Sequence, residues 1–279
     1  MTLPAGASDA RRLSGGDINQ AWHVKLDGRD AFVKTRPDAG EGEYALEAEG
    51  LRWLAEPGAV RVPGVIELAE DYLALEWVPP GRLSVEGAEE FGRGLALTHA
   101  AGAPCFGDPG FGERLEVHAR IGSLRLPNEP LADWPRFYAQ RRLLPLVRIA
   151  AERSVLSPAG IDAVERVRER LSDLCGPPES PARLHGDLWS GNVHADRDGR
   201  AWLIDPSAYG GHRELDLAML RLFGAPSERV FAAYEEVAPL AAGWQERVGL
   251  WQLLPLLVHA VLFGGSYCDA AEQMAARYA

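Results

Sequence analysis

The sequence predicts an α+β fold with a small N-terminal lobe rich in β-strands and a larger helical C-terminal lobe. Residues 21–26 and 31–35 have the composition of two strands, and the Asp27-Gly28 pair between them is typical of a hairpin turn. Residues 44–54 carry apolar side chains at three- and four-residue steps, which predicts a helix. The first quarter of the chain consists mainly of strand and turn signals, whereas helical spacing dominates from Ser84 onward.

A break after the third predicted strand marks the expected lobe boundary. Residues 72–78 predict a strand, and the two prolines and the glycine at 79–81 end it. From Ser84 onward the apolar spacing is mostly helical. We therefore expect an N-terminal lobe over residues 1–78 and a C-terminal lobe over residues 79–279, with a cleft between them that could hold a ligand.

Two segments of the C-terminal lobe have clear helical signals. Ser157 precedes Pro158, which suits a helix that begins with a capping serine and a proline in its first turn. The apolar stripe of this helix runs to Leu174, and the glycine and prolines at 176–178 end it. Residues 250–265 form the most apolar stretch, but polar residues and a proline interrupt it, so we interpret it as a buried helix and not as a membrane span.

The composition argues against several classes of protein. The 279 residues include 29 Lys plus Arg and 40 Asp plus Glu, which gives a formal net charge of −11, and the sequence pI is near 5.2. An acidic chain is a poor ligand for DNA, RNA or an anionic membrane surface. A helix terminus or a metal ion can still hold a phosphorylated ligand locally. We therefore expect neither nucleic acid nor a membrane as a partner.

The cysteines and the start of the chain predict a cytoplasmic protein. Cys105, Cys175 and Cys268 are scattered and form no CxxC pair, so a zinc site or a disulfide scaffold has little support. Residues 1–6 lack the basic start and the apolar run of a secretory signal. A reducing compartment fits this pattern, and the oligomeric state stays open.

The most informative segment is LHGDLWSGNV at residues 184–193, which is followed by a short apolar strand and Asp205. Phosphoryl transfer needs a carboxylate near the attacking hydroxyl and hard oxygen ligands for the magnesium ion that bridges the nucleotide phosphates. Asp187 can act as that carboxylate, either as a base or as an orienting acceptor. Asn192 offers a neutral oxygen and Asp205 a charged one, and together they suit magnesium.

The alternative interpretation of these residues is structural. Aspartates in turns commonly accept hydrogen bonds from their own backbone, so the HGD and IDP fragments, taken singly, are as consistent with ordinary turns as with catalysis. Asn192 lies five residues after Asp187, and Asp205 lies eighteen residues after Asp187. This order and spacing are much more specific than either fragment alone.

The N-terminal lobe supplies candidates for the rest of a nucleotide site. Lys34 lies in an apolar strand from which its ammonium could reach a phosphate, and Glu47 on the following helix could form an ion pair with it. The glycine turn at Gly15 and Gly16 precedes these strands and could cover phosphates, although it is not a GxxxxGK[ST] loop. Each feature alone is equally consistent with a solvent-facing side chain or an ordinary turn.

Together these residues resemble the fructosamine kinase (ketosamine-3-kinase) family, a branch of the protein-kinase-like fold related to aminoglycoside and choline kinases. The wider group shares HGDxxxxN followed by ID, and within HGDLWSGN the residues Trp189 and Ser190 are distinctive of the narrower family. Further similar segments lie at residues 32–34, 47–51, 62–63, 205–206, 213–219, 222–224, 231–234, 239–240 and 259–264. The resemblance covers nearly the whole chain and implies a protein-kinase-like fold of two lobes.

The resemblance implies a role for each candidate residue, with ATP and Mg²⁺ as the cofactors. Asp187 is expected to accept the proton of the acceptor hydroxyl, and Asn192 and Asp205 are expected to bind the metal ion. Lys34 is expected to contact nucleotide phosphate, with Glu47 as its partner. The backbone of the strand between the lobes is expected to meet the adenine; its residues are Glu76, Trp77 and Val78.

The resemblance also implies a substrate, a small-molecule ketosamine or other glycated amine. Transfer to its 3-hydroxyl would give a 3-phosphate that decomposes and frees the amine. Trp189 could stack on the acceptor sugar or pack beside the loop, and His259 could line the substrate pocket or be a core histidine. The sequence departs from the family pattern at Ser207, Gly210 and His212, which leaves the sugar specificity open.

Two other functions stay open at this point. The acceptor could be an aminoglycoside, a choline-like amine or another small alcohol, and a panel of acceptors with ATP and Mg²⁺ would distinguish these. A pseudokinase would bind a nucleotide or a partner without transfer. Such a protein has no chemical need to keep the lysine, both aspartates and the asparagine together.

Overall fold

An antiparallel sheet of five strands forms the N-terminal part of the protein in the computed structural model, which describes residues 3–13, 19–36, 39, 42–111 and 118–279. In sheet order, the strands are β1 (Ala7–Arg12), β2 (Gln20–Leu26), β3 (Arg29–Thr35), β5 (Tyr72–Glu76) and β4 (Val65–Leu68). The predicted hairpin is confirmed, because β2 pairs with β3 and its turn residues Asp27 and Gly28 have φ of 49° and 79°. Positive φ at both positions is what a two-residue turn between twisted strands requires.

The register of the sheet directs Lys34 toward the interior. Lys34 lies opposite Ala21 of β2 and Leu73 of β5, so the three side chains share one face. Helix α1 (Glu43–Ala55) packs on this face and shares a hydrophobic cluster with Leu73. Lys34 is only 4% exposed, so its ammonium needs partners inside the protein.

Helix α1 also packs closely on the C-terminal part of the chain. A Cβ atom at Gly50 would lie 3.2 Å from the Cβ atom of Ala208 and 3.4 Å from Cγ of Pro206, so a glycine permits this approach. Trp53 belongs to the same cluster as Ala208, and its carbonyl accepts a hydrogen bond from the guanidinium of Arg183. The helix therefore lies between the sheet and the larger lobe and contacts both.

Helices make up most of the larger lobe. They are α2 (Val85–Ala100), α3 (Trp134–Phe137), α4 (Leu144–Glu152), α5 (Pro158–Glu169), α6 (Leu171–Leu174), α7 (Glu214–Leu222), α8 (Glu228–Val237), α9 (Trp244–Phe263) and α10 (Ser266–Tyr278). The main core forms around α9, which packs on α4, α7 and α10. The cap predicted at Ser157 is confirmed, because its hydroxyl accepts a hydrogen bond from the backbone N–H of Gly160 at 3.0 Å.

Helix α9 is longer than the apolar stretch in the sequence suggests. It begins at Trp244, and Pro255 lies inside it. Among the described residues it is the one helix whose length and composition would suit a membrane span. However, 67% of its most apolar 18-residue stretch is buried inside the protein. The packing is that of a core helix, as the sequence predicts.

Three parts of the larger lobe differ from the sequence-based expectation. The helix predicted to run to Leu174 divides at Arg170 into α5 and α6, and nothing in the local sequence marks the break. A π-helical turn, Tyr138–Leu143, connects α3 with α4. A hairpin of β6 (His118–Ile121) and β7 (Leu124–Pro127) was not predicted, because each strand is only four residues long.

Four short strands carry the polar motifs of the larger lobe. Strand β8 (Ala182–Leu184) pairs with β11 (Tyr209–Gly211), and β9 (Val193–Ala195) pairs with β10 (Ala201–Leu203). The segment after β5 lies against the β9–β10 hairpin, where Gly81 donates its N–H to a backbone carbonyl of β9 at 2.7 Å. The exact position of the lobe boundary, between residues 78 and 79, stays a prediction.

Candidate active site

Short buried strands deliver Asp187 and Asp205 to the cleft. Asp187 follows β8, whose last residue Leu184 is fully buried, and Asp205 follows β10, which ends at the buried Leu203. Asn192 lies at the end of a 3₁₀ turn between β8 and β9. The apolar strands are anchored in the core, so the polar residues that follow them are held in defined positions.

Hydrogen bonds tie the loop of Asp187 to the segment of Asp205. His185 donates from Nε2 to the carbonyl of Ile204 at 2.9 Å, and Ile204 donates its N–H to the carbonyl of Asn192 at 3.1 Å. The side-chain amide of Asn192 donates to the carbonyl of Asp187 at 2.7 Å and to its Oδ2 at 3.2 Å. The structure therefore brings the two aspartates and the asparagine together.

Lys34 reaches across the cleft to Asp205. Its Nζ lies 2.6 Å from Oδ1 of Asp205, and 2.7 and 2.8 Å from the two carboxylate oxygens of Glu47. Burial works to lower the pKa of Lys34, but the charges of the two carboxylates outweigh it and hold the pKa above its ordinary value. Lys34 is therefore a fixed positive charge in the cleft. The predicted glycine turn at Gly15 and Gly16 lies outside the described residues.

Asp205 has a backbone conformation that is uncommon for residues other than glycine. Its φ is 54°, in the left-handed region, and such conformations persist where the surroundings enforce them, often at functional sites. Burial works to raise the pKa of Asp205, but the charge and hydrogen bond of Lys34 outweigh it and hold the pKa below its ordinary value. The carboxylate is thus ionised at neutral pH.

Asp187 has a different electrostatic environment. Burial, followed by the negative charge of Asp205, raises the pKa of Asp187 to about 7, against the opposing hydrogen bond from Asn192. A carboxyl group with that pKa can both accept and release a proton near neutral pH, which is what general base catalysis requires. The two carboxylates differ in this way because Lys34 forms its ion pair with Asp205.

The oxygen atoms of Asn192 and Asp205 fit a magnesium ion. The amide nitrogen of Asn192 donates to Asp187, so its amide oxygen is the atom that could bind a metal ion. Oδ2 of Asp205 has no hydrogen-bond partner among the described residues. Magnesium prefers such hard oxygens and commonly takes one or two protein ligands together with substrate phosphates. Within the described ranges no cluster of three or more His, Cys, Asp or Glu residues suits a metal ion.

A buried carboxylate holds the backbone at the start of the Asp187 loop. Asp216 in α7 accepts hydrogen bonds from the backbone N–H groups of His185 at 2.7 Å and Gly186 at 3.0 Å. His99 of α2 lies against the same carboxylate and also against the hydroxyl of Tyr234 in α8. The sequence analysis did not identify His99 or Tyr234 as support for this loop. The one sequence signal for either residue is a polar group on a mostly apolar helix face.

The residues predicted to meet adenine lie at the end of β5 and directly after it. Glu76 is exposed, and Trp77 stacks on His23 of β2 with ring centroids 4.1 Å apart. Val78 is buried, and its carbonyl accepts a hydrogen bond from Nε2 of His194 at 3.1 Å. The segment therefore contacts both lobes, and its role toward the nucleotide stays a prediction.

Trp189 and His259, both predicted to contact substrate, belong to one group of aromatic rings. Trp189 lies two residues after Asp187, is 40% exposed, and meets Phe223 edge-on with ring centroids 6.3 Å apart. The ring of Phe223 lies 4.8 Å from that of His259. Residues far apart in the sequence thus form one surface beside the Asp187 loop.

The three positions at which the sequence departs from the family pattern are buried. His212 stacks on Trp251 with ring centroids 5.2 Å apart, and Ser207 is buried as well. A Cβ atom at Gly210 would lie 1.9 Å from the carbonyl oxygen of Cys105, so this position excludes any side chain. These departures therefore concern the packed interior of the larger lobe.

The fold and the grouping of charged residues define the class of protein, a phosphotransferase with the protein-kinase-like fold. An aminoglycoside phosphotransferase, solved in complex with AMP-PNP and hygromycin B, shares this fold at a TM-score of 0.63 and 20% identity, over 96% of this chain and 94% of that chain. The sequence model of the fructosamine kinase family matches residues 3–279. The chain belongs to the fructosamine kinase family.

Individual relatives agree with this membership. A protein of Enterococcus faecium, named a probable ketoamine kinase, is 34% identical over 265 residues, which cover 93% of this chain and 91% of that protein. A crystal structure of a protein from Thermobifida fusca, provisionally named a fructosamine-3-kinase, has a TM-score of 0.89 and 44% identity, over 96% of this chain and 92% of that chain. The family and the fold class predicted from the sequence are confirmed.

Proposed function

We propose that the protein transfers the γ-phosphoryl group of ATP to the 3-hydroxyl of a small-molecule ketosamine, in a Mg²⁺-dependent reaction that leads to release of the amine. The fructosamine kinase family and the ketoamine kinase relative support this substrate class. One observation carries the proposal: an ammonium, two carboxylates and an amide lie together in one cleft. These groups belong to Lys34, Asp187, Asp205 and Asn192.

The proposed chemistry follows from the charges of the cleft. Asp187, whose pKa of about 7 leaves it partly ionised at neutral pH, accepts the proton of the 3-hydroxyl as the hydroxyl oxygen bonds to the γ-phosphorus. The bond from that phosphorus to the bridging oxygen breaks, and ADP leaves. The ammonium of Lys34 stabilises the negative charge that spreads over the phosphates.

The remaining residues hold the reactants. Asn192 and Asp205 would bind Mg²⁺ through their oxygen atoms, and this ion, when bound, neutralises phosphate charge. Glu47 holds Lys34 by its ion pair, so the ammonium stays directed into the cleft. The backbone of residues 76–78 would contact the adenine, and the glycine turn at residues 15–16 would cover the phosphates.

The test is an acceptor panel. The protein is incubated with ATP and Mg²⁺ and with one acceptor at a time: a ribulosamine, a fructosamine, the parent amine, an aminoglycoside or choline. We expect ATP consumption with the ketosamines, a product phosphorylated at O3 by NMR, and free amine afterwards. Consumption with only the aminoglycoside or choline would overturn the ketosamine assignment. ATP binding without transfer to any acceptor would indicate a pseudokinase.

The class of ligand and the cellular compartment stay predictions. The net charge of −11 supports a small-molecule ligand in preference to nucleic acid or a membrane surface. The cytoplasm is proposed because the three cysteines are free thiols, which suits a reducing compartment.

A further inference from the structure

An aromatic surface extends from the Asp187 loop to the end of helix α9. It consists of Trp189, Phe223, His259, Phe263 and Tyr267. The ring of Phe223 lies 6.3 Å from that of Trp189 and 4.8 Å from that of His259. The ring of His259 lies 5.0 Å from that of Tyr267 and 5.5 Å from that of Phe263. Each ring contacts the next, so the surface is continuous.

The aromatic surface is open at the end away from the loop. Phe263 is 60% exposed, although most of α9 is buried. Gly264 and Gly265 follow it, and a Cβ atom placed on either would have no atom within 4 Å. A single exposed apolar ring is common, but contiguous exposed apolar surface often marks a binding site.

His259 adds one polar atom to the aromatic surface. Its Nδ1 lies 2.7 Å from the carbonyl oxygen of Pro255. A carbonyl can only accept, so Nδ1 carries the proton and donates it. In the neutral imidazole the other nitrogen, Nε2, then has a lone pair that can accept a hydrogen bond. The surface thus combines ring faces, which attract cations, with a hydrogen-bond acceptor.

We propose that the aromatic surface binds the amine half of the ketosamine. The protonated nitrogen lies against Trp189 and His259, and an apolar or aromatic substituent on that nitrogen packs against Phe263 and Tyr267. This inference rests on the proposed function, because it uses the position of the reacting hydroxyl. The ligand class is therefore the ketosamine of an apolar amine.

The connectivity of a ketosamine supports this placement. The nitrogen is attached to C1 and the reacting hydroxyl to C3, so only two carbon–carbon bonds separate the two carbons. In the proposed arrangement the 3-hydroxyl faces Asp187 and the nitrogen lies against Trp189, whose backbone N–H donates to the carbonyl of Asp187 at 3.1 Å. The substituent on the nitrogen then continues along the aromatic surface toward Phe263.

The charge of the amine agrees with the surface. Aliphatic amines are protonated at neutral pH, and a protonated amine can stack on an aromatic face and donate to Nε2 of His259. An adduct with a very short substituent leaves Phe263 in solvent, so we expect it to be the poorer substrate.

The experiment compares two ribulosamines that differ only in the amine, one made from benzylamine and one from methylamine. The wild type should show a kcat/KM about tenfold higher for the benzylamine adduct, mainly through KM. Phe263→Ala should abolish this preference by raising the KM for the benzylamine adduct. The variant should fold, because Phe263 is mostly exposed. Leu97→Ala is the matched control, since Leu97 is 50% exposed on α2.

The outcomes separate this inference from the proposed function. If both adducts are phosphorylated but the preference is absent, or persists in Phe263→Ala, the inference is wrong and the proposed function stands. If neither adduct is phosphorylated, the proposed function fails. Titration of the benzylammonium ion, followed by tryptophan fluorescence, then decides the inference: tighter binding to the wild type than to Phe263→Ala supports it, and equal binding overturns it.

Discussion

The imidazole of His99 lies against the carboxylate of Asp216, with 3.3 Å between Nε2 and Oδ2, and both side chains are buried. An ionised carboxylate only accepts, so Nε2 donates, and Nδ1 of the neutral ring accepts from the hydroxyl of Tyr234 at 2.9 Å. The same carboxylate receives the backbone N–H groups of His185 and Gly186. The loop that carries Asp187 is therefore supported by helices α2, α7 and α8.

Replacing His99 by leucine should weaken both stability and turnover. The change leaves the hydroxyl of Tyr234 without its acceptor and Asp216 without one donor. We expect a loss of about 1–3 kcal/mol in the free energy of unfolding, measured by urea denaturation. The kcat should fall roughly tenfold, with the KM for ATP nearly unchanged, because the loop loses its support.

The matched control for His99→Leu is Tyr234→Phe, which removes one hydroxyl. It should lower the free energy of unfolding by about 1 kcal/mol. A destabilised His99→Leu variant with normal kcat would restrict His99 to a structural role.

Asp187→Ala should cut turnover by roughly two to four orders of magnitude while ATP still binds. The variant lacks the proposed proton acceptor, but it keeps Lys34, Asn192 and Asp205. Phosphorylation of a ribulosamine measures turnover, and isothermal titration calorimetry measures ATP binding. Asp173→Ala, at an exposed position of α6, is the control. Near-normal phosphorylation by Asp187→Ala would show that the assigned mechanism is wrong.

Lys34→Met should lower stability and ATP affinity together. The carboxylates of Glu47 and Asp205 would then face each other without a cation. We expect the free energy of unfolding to fall by about 1–3 kcal/mol. This is less than the loss for breaking a fully buried ion pair, because Asp205 is exposed to solvent. Urea denaturation and titration calorimetry provide the two measurements. Glu47→Gln keeps the size of the side chain and should lower stability and ATP affinity less than Lys34→Met does. Equal effects of the two substitutions would contradict the position of Lys34 as the cation between the two carboxylates.

The pH dependence of kcat/KM should report the ionisation of Asp187. Because its pKa is raised to about 7, the group is protonated below that pH and unable to accept a proton. The kcat/KM should therefore fall about tenfold per pH unit as the pH drops well below 7. Asp205, whose pKa is lowered, stays ionised over this range. A profile that stays flat down to pH 5.5 would contradict the raised pKa of Asp187.

The sequence was sufficient for the parts of the site that are local in the chain. Asp187 and Asn192 lie on one loop, and a short apolar strand leads to Asp205, so spacing and residue type indicated that these groups meet. Lys34 and Asp205 are 171 residues apart, and their contact could be inferred only from the needs of the chemistry and the family resemblance.

Other features depend on packing between distant elements. His99 and Tyr234 lie on two different helices, and the sequence does not show that both side chains meet at one buried carboxylate. The break at Arg170 has no glycine or proline beside it, so local propensity predicts a continuous helix there. Exposure of Phe263 could not be predicted either, because it ends an otherwise apolar helix.

The close contact at Gly50 joins helix α1 to the segment that carries Asp205. Helix α1 rests on Pro206 and Ala208, directly after Asp205, and Glu47 lies one turn before Gly50 on the same helix. Withdrawal of such a helix, with its glutamate, is how protein kinases are switched off. Here the helix that carries Glu47 packs on Pro206 and Ala208, in the segment that follows Asp205. Moving α1 away from Lys34 would therefore also break the packing around Gly50.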